Sequence, residues 1–213
     1  MVDREHYEAI KKGTTTIGIV CSDGVVMGAD ARATMDTFIS SSEAIKIYKI
    51  NDGLAMTIAG GVGDAEYLVK LLKMHDEMYR MNEGRPLSPT SATSLLSLIL
   101  QENKMYPFFV GLVIGGVNKG AHEIFNIDMV GGYTKESKFT ATGSGSPTAL
   151  GYIESVYNSE LTTQEAVRHV SKALRIAMKR DAATGDGTRI VSISKKGFKE
   201  YTKEELDKLN TAK

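Results

Sequence analysis

The sequence predicts an α+β protein with four layers: two stacked antiparallel sheets held between outer layers of helices. Three observations carry that prediction. Strand-like and helix-like segments arrive in runs (strands, two helices, strands, two helices, strand), whereas a parallel α/β sheet requires strict alternation. The strand-like segments are joined by short turn signals, Asp23-Gly24, Asn51-Asp52-Gly53 and Asn118-Lys119-Gly120, which connect antiparallel neighbours. Helical segments carry an apolar stripe on one side, so each needs a sheet to cover it. No internal repeat or linker interrupts the 213 residues, a length that suits one large domain.

Each element has a local reason. Thr15–Ser22 is β-branched and apolar, with Ile17, Ile19 and Cys21 on one face, and Val25–Ala33 returns antiparallel to it. Ile45–Ile50 and Leu54–Ala59 form a second hairpin. Gly60, Gly61 and Gly63 turn the chain into a helix beginning near Asp64, with Leu68, Leu71, Leu72 and Met78 at helical spacing. Ser88-Pro89 supplies the N-cap and first-turn proline of a second helix, whose stripe is Leu95, Leu96, Ile99 and Leu100. Phe108–Val117 is dense in Val, Ile and Phe, as a central strand requires, and Ala121–Asp128 and Ser137–Ala141, separated by a Gly131-Gly132 turn, are two further strands. Pro147 opens a helix to Tyr157, and Thr162 with Glu165 three residues on forms a capping box for a helix reaching Arg180. Ile190–Ser194 is a last strand, and Lys203–Lys213 a charged tail.

Bulk properties narrow the function classes. Lys+Arg and Asp+Glu both total 26, so no net charge asks for nucleic acid or an anionic membrane as partner. No apolar run approaches the ~18 residues that span a bilayer. The charged stretch Met1–Gly13 lacks the apolar core of a secretion signal, and Cys21 is alone, so the chain reads as one from a reducing cytoplasm. His6, His75, His122 and His169 are not spaced as metal ligands, and no metal or cofactor is expected. Gly60-Gly61-Val62-Gly63 and Gly143-Ser144-Gly145-Ser146 lack the Lys and Ser/Thr that complete a phosphate-binding loop. Met74, Met78 and Met81 read as core or subunit-interface filler.

The polar residues inside apolar strands say more. Asp30 ends the run Val-Val-Met-Gly-Ala, and Lys46 stands between Ile45 and Ile47. A carboxylate and an ammonium in such places must be solvated, paired or functional. Their relation to the start of the first strand depends on register. A two-residue Asp23-Gly24 turn sets Asp30 opposite Ile17, on the face away from Thr14. A three-residue loop with Gly24 left-handed sets Asp30 opposite Thr16, on the face of Thr14. A shared site at Thr14 calls for the second register.

Gly13-Thr14-Thr15-Thr16-Ile17-Gly18, Gly28-Ala29-Asp30-Ala31-Arg32-Ala33-Thr34, Lys46, Ile58-Ala59-Gly60-Gly61-Val62-Gly63-Asp64, Gly143-Ser144-Gly145-Ser146 and Arg180-Asp181-Ala182-Ala183-Thr184-Gly185 occur in one order and spacing. In that order the chain, nearly whole from Gly13 onward, resembles the β-type subunits of the proteasome core particle, the archaeal type above all. The resemblance implies an N-terminal-nucleophile (Ntn) hydrolase fold and a threonine endopeptidase that degrades unfolded polypeptides. It implies a precursor in which residues 1–13 are a propeptide and residues 14–213 the catalytic domain, with autocleavage between Gly13 and Thr14. Matched position by position, Thr14 corresponds to the nucleophile, Asp30 and Lys46 to its acidic and basic partners, and Gly60 to the oxyanion-hole amide. Ser144 and Asp181 match supporting positions, and Thr184 falls where the family more often has serine. Thr34 and Val62 match backbone positions along the substrate, and Ala33, Ile58 and Val62 match the first specificity pocket, whose apolar walls imply cleavage after hydrophobic residues. The resemblance further implies seven-membered β rings stacked with α-subunit rings, a regulatory ATPase acting through the α rings, and residence in the cytoplasm. The alternatives are a bacterial proteasome-like hydrolase with six-membered rings, a non-catalytic ring scaffold, and another amide hydrolase of the same superfold.

The chemistry is coherent on its own terms. A threonine hydroxyl needs a base, and a free α-amine, with a pKa of about 7.7–8.0, is nearer working pH than a lysine at about 10.4. Asp30 beside Lys46 favours the charged lysine. Lys46 is therefore expected to stabilise the alkoxide while the Thr14 amine serves as base, with Lys46 as base the rival.

Overall fold

The computed structural model describes residues 13–35 and 37–211. Met1–Lys12, most of the expected propeptide, lies outside the described residues, as do Ala212 and Lys213 at the end of the expected tail.

Two five-stranded antiparallel sheets make the centre. The first has the order β10-β1-β2-β11-β12, from β1 (Thr15–Cys21), β2 (Gly24–Asp30), β10 (Phe139–Gly143), β11 (Thr188–Ser194) and β12 (Gly197–Glu200). The second runs β5-β6-β7-β8-β9, from β5 (Ile47–Asn51), β6 (Leu54–Gly60), β7 (Val110–Asn118), β8 (Ala121–Ile127) and β9 (Tyr133–Glu136). A short ribbon of β3 (Ala33–Met35) and β4 (Phe38–Ser41) stands apart from both. Helices α1 (Val62–Glu83) and α2 (Pro89–Glu102) leave from β6 and return to its neighbour β7. Helices α3 (Ser146–Val156) and α4 (Thr163–Met178) join β10 to β11 of the first sheet, and α5 (Lys203–Thr211) is the last described element.

Three apolar clusters fill the three spaces between four layers. Leu54, Met56, Leu112 and Ile114 of the second sheet meet Leu68 and Leu72 of α1 and Leu96 and Leu100 of α2. Ile17, Ile19 and Val26 of the first sheet meet Ile153 of α3 and Val167, Val170 and Leu174 of α4. Val25, Met27 and Ala29 meet Ala55, Val113 and Ile124 between the sheets. Alternate residues of one strand thus enter different layers, as the two-residue period of a strand requires. The expected four-layer α+β sandwich is present.

Local signals read from the sequence are present too. Ser88 accepts a hydrogen bond from the Ser91 amide ahead of Pro89, and both halves of the Thr162–Glu165 capping box are made. Other details differ. The β3–β4 ribbon and strands β9 and β12 are each only three or four residues long, too short to show a period. Met74, Met78 and Met81 are 51%, 48% and 76% exposed, so they do not serve the core, and Met78 does not belong to the inward stripe of α1. The buried face of α1 instead carries Asp76, whose carboxylate accepts from Asn51 Nδ2 at 2.7 Å and from the Leu87 amide at 2.8 Å.

Neither expected register of the first hairpin occurs. Cys21 pairs with Gly24, so the loop is Ser22-Asp23. Gly24 is glycine because β11 passes so close that a Cβ there would stand 2.3 Å from the Ile193 carbonyl oxygen. Asp23 is held by α4: its carboxylate accepts from the Thr163 amide at 2.7 Å and from Thr163 Oγ1 at 3.0 Å. Both partners are more than 130 residues away in the chain, which is why local turn rules misplaced the loop.

Candidate active site

Thr14 lies where β1 begins. Because β1 pairs with β10 on one side and β2 on the other, the start of β1 is fixed in the middle of a sheet. Thr14 is only 6% exposed and has φ 110°, following Gly13 at φ 96°. A β-branched residue at such an angle is a true backbone outlier, of the kind that gathers at functional sites.

In the observed register Thr16 pairs with Ala29, and the next pair would set Thr15 across from Asp30. The condition that Asp30 share a strand face with Thr14 therefore fails. Asp30 reaches the Thr14 end of β1 by another route. Thr14 has left strand geometry, so facial alternation does not reach it. Asp30, at the very end of β2, turns its carboxylate onto neighbouring backbone. Oδ1 accepts from the Thr15 amide at 2.9 Å and from Lys46 Nζ at 2.8 Å. Oδ2 accepts from the Arg32 amide at 3.1 Å and the Gly185 amide at 3.0 Å. Four hydrogen bonds satisfy a carboxylate that is fully buried, which is the condition for keeping a charge there.

Lys46 immediately precedes β5 and reaches Asp30 across the gap between the sheets, its side chain 7% exposed. Burial pushes its ammonium below the ordinary lysine value, and the Asp30 carboxylate acts against that shift. The charged form therefore depends on Asp30.

A second network runs on the other side of Thr14. Ser144 Oγ accepts from the Gly13 amide at 3.3 Å and donates to Asp181 Oδ2 at 2.5 Å. Thr184 Oγ1 also donates to Asp181 Oδ2 at 2.5 Å. With its one hydrogen so used, Thr184 must accept at 2.8 Å from Thr15 Oγ1. The extra methyl of Thr184 is accommodated with the side chain fully buried.

A cavity of about 490 Å³ opens beside these groups, and its lining includes Gly13, Thr14, Lys46 and Gly60. Ala33, Thr34, Ile58 and Val62 line the same cavity, so all four residues expected along the substrate share one space with Thr14. Gly60 has φ 119°, and a Cβ there would lie 2.1 Å from the Phe109 carbonyl oxygen, so no other residue fits. The structure adds Tyr48 and Glu66 to the lining, neither of which the sequence singled out. Helical spacing from Val62 to Glu66 was the available signal.

The thiol is not a rival nucleophile. Cys21 is 3% exposed at the far end of β1, and burial pushes its pKa up to about 12. Among the described residues no group of three His, Cys, Asp or Glu side chains could hold a metal ion, and no helix is long and apolar enough to cross a membrane.

Two antiparallel sheets between helix layers, with a threonine, an aspartate and a lysine gathered at one end, have the architecture of an Ntn-hydrolase sandwich. A family profile described as "Proteasome subunit" matches residues 10–193. A proteasome subunit beta of Methanococcus vannielii is 46% identical over 206 residues, 96% of this chain and 94% of that protein. That of Methanococcus aeolicus is 44% identical over 99% of this chain and 97% of the relative, and that of Archaeoglobus profundus 44% over 96% and 95%. The chain belongs to the proteasome subunit family, and its relatives place it among the catalytic β subunits of the core particle, a protease that assembles as rings.

Proposed function

We propose that the chain is a threonine-type endopeptidase made as a precursor, with residues 1–13 as propeptide and residues 14–213 as the single catalytic domain. The observation that carries this reading is the shared cavity: Thr14, Lys46, Gly60 and the four substrate-lining residues Ala33, Thr34, Ile58 and Val62 all border it.

In the precursor the Thr14 nitrogen is an amide and cannot act as a base. The Thr14 hydroxyl attacks the Gly13 carbonyl, the Gly13–Thr14 peptide bond breaks, and an ester forms that water opens. The products are a Gly13 carboxylate and a free Thr14 amine. The positive φ of both residues and the hydrogen bond from the Gly13 amide to Ser144 support a bent, held scissile segment.

In the mature enzyme the Thr14 amine takes the hydroxyl proton as Oγ attacks a substrate carbonyl, then returns a proton to the leaving amine. Water releases the acyl group from Oγ by the same path. Lys46, charged through Asp30, stabilises the developing alkoxide, and the Gly60 amide faces the oxyanion. Ser144, Asp181 and Thr184 orient the amine and a water. Apolar Ala33, Ile58 and Val62 favour cleavage after hydrophobic residues, and the substrates are unfolded polypeptides. Seven subunits close a β ring, and two such rings stack between two α rings that receive substrate from a regulatory ATPase, in the cytoplasm. The matched relatives, named as proteasome β subunits over almost their full length, support this assembly.

Co-assembly with an archaeal α subunit followed by intact-mass measurement tests the reading. The wild-type chain is expected to lose residues 1–13 and to cleave a fluorogenic peptide. Thr14→Ala is expected to keep them and to be inactive; full activity of that variant would end the hypothesis.

A further inference from the structure

Arg32 belongs to the segment Asp30-Ala31-Arg32-Ala33-Thr34 but has no part in the chemistry above. Its side chain spans the loop that follows α4. Nε donates to Asp186 Oδ2 at 2.7 Å, Nη2 to Asp186 Oδ1 at 3.1 Å, and Nη1 to the Ala182 carbonyl at 2.7 Å. The guanidinium lies flat against Gly185, where a Cβ would stand 2.4 Å from Arg32 Cζ. Asp186 has φ 62°, a left-handed conformation that Asp and Asn tolerate better than other side chains.

The backbones behind this side chain are joined as well. The Ala31 amide lies 3.1 Å from the carbonyls of both Gly185 and Gly187. The Arg32 and Gly185 amides both donate to Asp30 Oδ2. One carboxylate oxygen of the buried Asp30–Lys46 pair therefore sits between two peptide groups, and the Arg32 fork ties the segments carrying them to each other. The same loop carries Asp181 and Thr184 to Ser144 and Thr15. An arginine fork fixes direction as well as distance, which a lysine cannot.

We infer that Arg32 and Asp186 are positioning residues: their bidentate pair, with the bond to the Ala182 carbonyl, holds the 181–187 loop so that the Gly185 amide completes the shell of Asp30 and Thr184 stays in register with Thr15. The catalytic half of this inference rests on the reading of Thr14 as nucleophile. Loosening the pair leaves Asp30 one hydrogen bond short, which disorients Lys46. The cavity walls at Ile58 and Val62, on other elements, are untouched.

The test uses processed particles carrying Asp186→Asn, which keeps a left-handed-tolerant residue, or Arg32→Lys, which keeps the charge without the fork. Arg80→Gln, breaking the exposed pair with Glu77 on α1, is the control. Hydrogen exchange of peptides covering residues 181–187 is expected to speed up about tenfold in both loop variants and not in the control. With a fluorogenic peptide, kcat is expected to fall about tenfold with KM within about twofold. Exchange equal to wild type in both loop variants overturns the clamp whatever the rates. Faster exchange with unchanged kcat overturns its role in positioning. An inactive wild-type particle overturns the peptidase reading and the catalytic half of this inference with it, while the exchange result still decides the clamp.

Discussion

Lys46 Nζ and Asp30 Oδ1 are 2.8 Å apart, with side-chain exposures of 7% and 0%, although one residue precedes the edge strand of the second sheet and the other ends a strand of the first. The pair bridges the two sheets at the point where Thr14 enters the first. Its members are interdependent, because a charge left alone in such a place is strongly unfavourable.

Asp30→Asn should therefore act on stability and activity together. It leaves the Lys46 ammonium buried without a counter-ion, at a loss of about 3–5 kcal/mol. Peptidase activity should fall at least about 100-fold, the scale of losing a positioned proton-transfer or charge-stabilising group. Denaturant unfolding and steady-state kinetics check the two parts; wild-type values for either would contradict the pairing.

The pH profile should carry the mark of Lys46. Burial sets its folded pKa below the ordinary 10.5, so activity that depends on its charge should decline on the alkaline side before that pH is reached. Stability moves the other way. Between the folded pKa and 10.5 the unfolded chain binds more protons at this site, so this group's contribution rises with pH across that window. Recording kcat/KM against pH on processed particles checks the first claim, and an alkaline limb at or above 10.5 sinks it.

Thr184 separates a hydroxyl from a methyl. Thr184→Ser keeps the donor to Asp181 and the acceptor for Thr15, so activity should stay within about threefold. Thr184→Val keeps the shape but leaves both neighbours short of a partner inside the protein, a loss of about 1–3 kcal/mol. Thermal unfolding of the two variants, with kinetics alongside, should rank Ser well above Val; equal behaviour would mean the hydroxyl relay is idle.

Gly60→Ala should fail for a backbone reason. The φ of 119° and the nearby Phe109 carbonyl exclude a Cβ, so strain of about 1–3 kcal/mol adds to a direct clash. The variant should lose most activity even where rings form, since the strand end bordering the cavity must shift. Particle yield by native gel and kcat by peptide hydrolysis check it; full activity of the Gly60→Ala particle would remove Gly60 from the site.

The legible part of the site was its composition. Asp30 and Lys46 stood out as charges among strand apolars, and motif order marked Thr14, Ser144, Asp181 and Thr184. The strand face that an Asp23-Gly24 turn implies is not formed, because Gly24 answers to β11 and Asp23 to α4. Tyr48 carried no signal, Glu66 only its helical spacing from Val62, and Arg32 only its place in the motif around Asp30, since the setting of Arg32 comes from a loop distant in sequence.

Periodicity, caps and the order of runs in the sequence were enough for the longer strands and helices, the antiparallel hairpins at β1–β2, β5–β6 and β7–β8, and the four layers, because those signals lie in residues close together in the chain. Tertiary structure alone decided that the first hairpin is inserted between β10 and β11, and with it everything that surrounds Thr14. Strand insertion is settled by hydrogen bonding and packing between residues more than a hundred positions apart. No local propensity records that choice, so the residue types of the site could be read from the chain and its geometry could not.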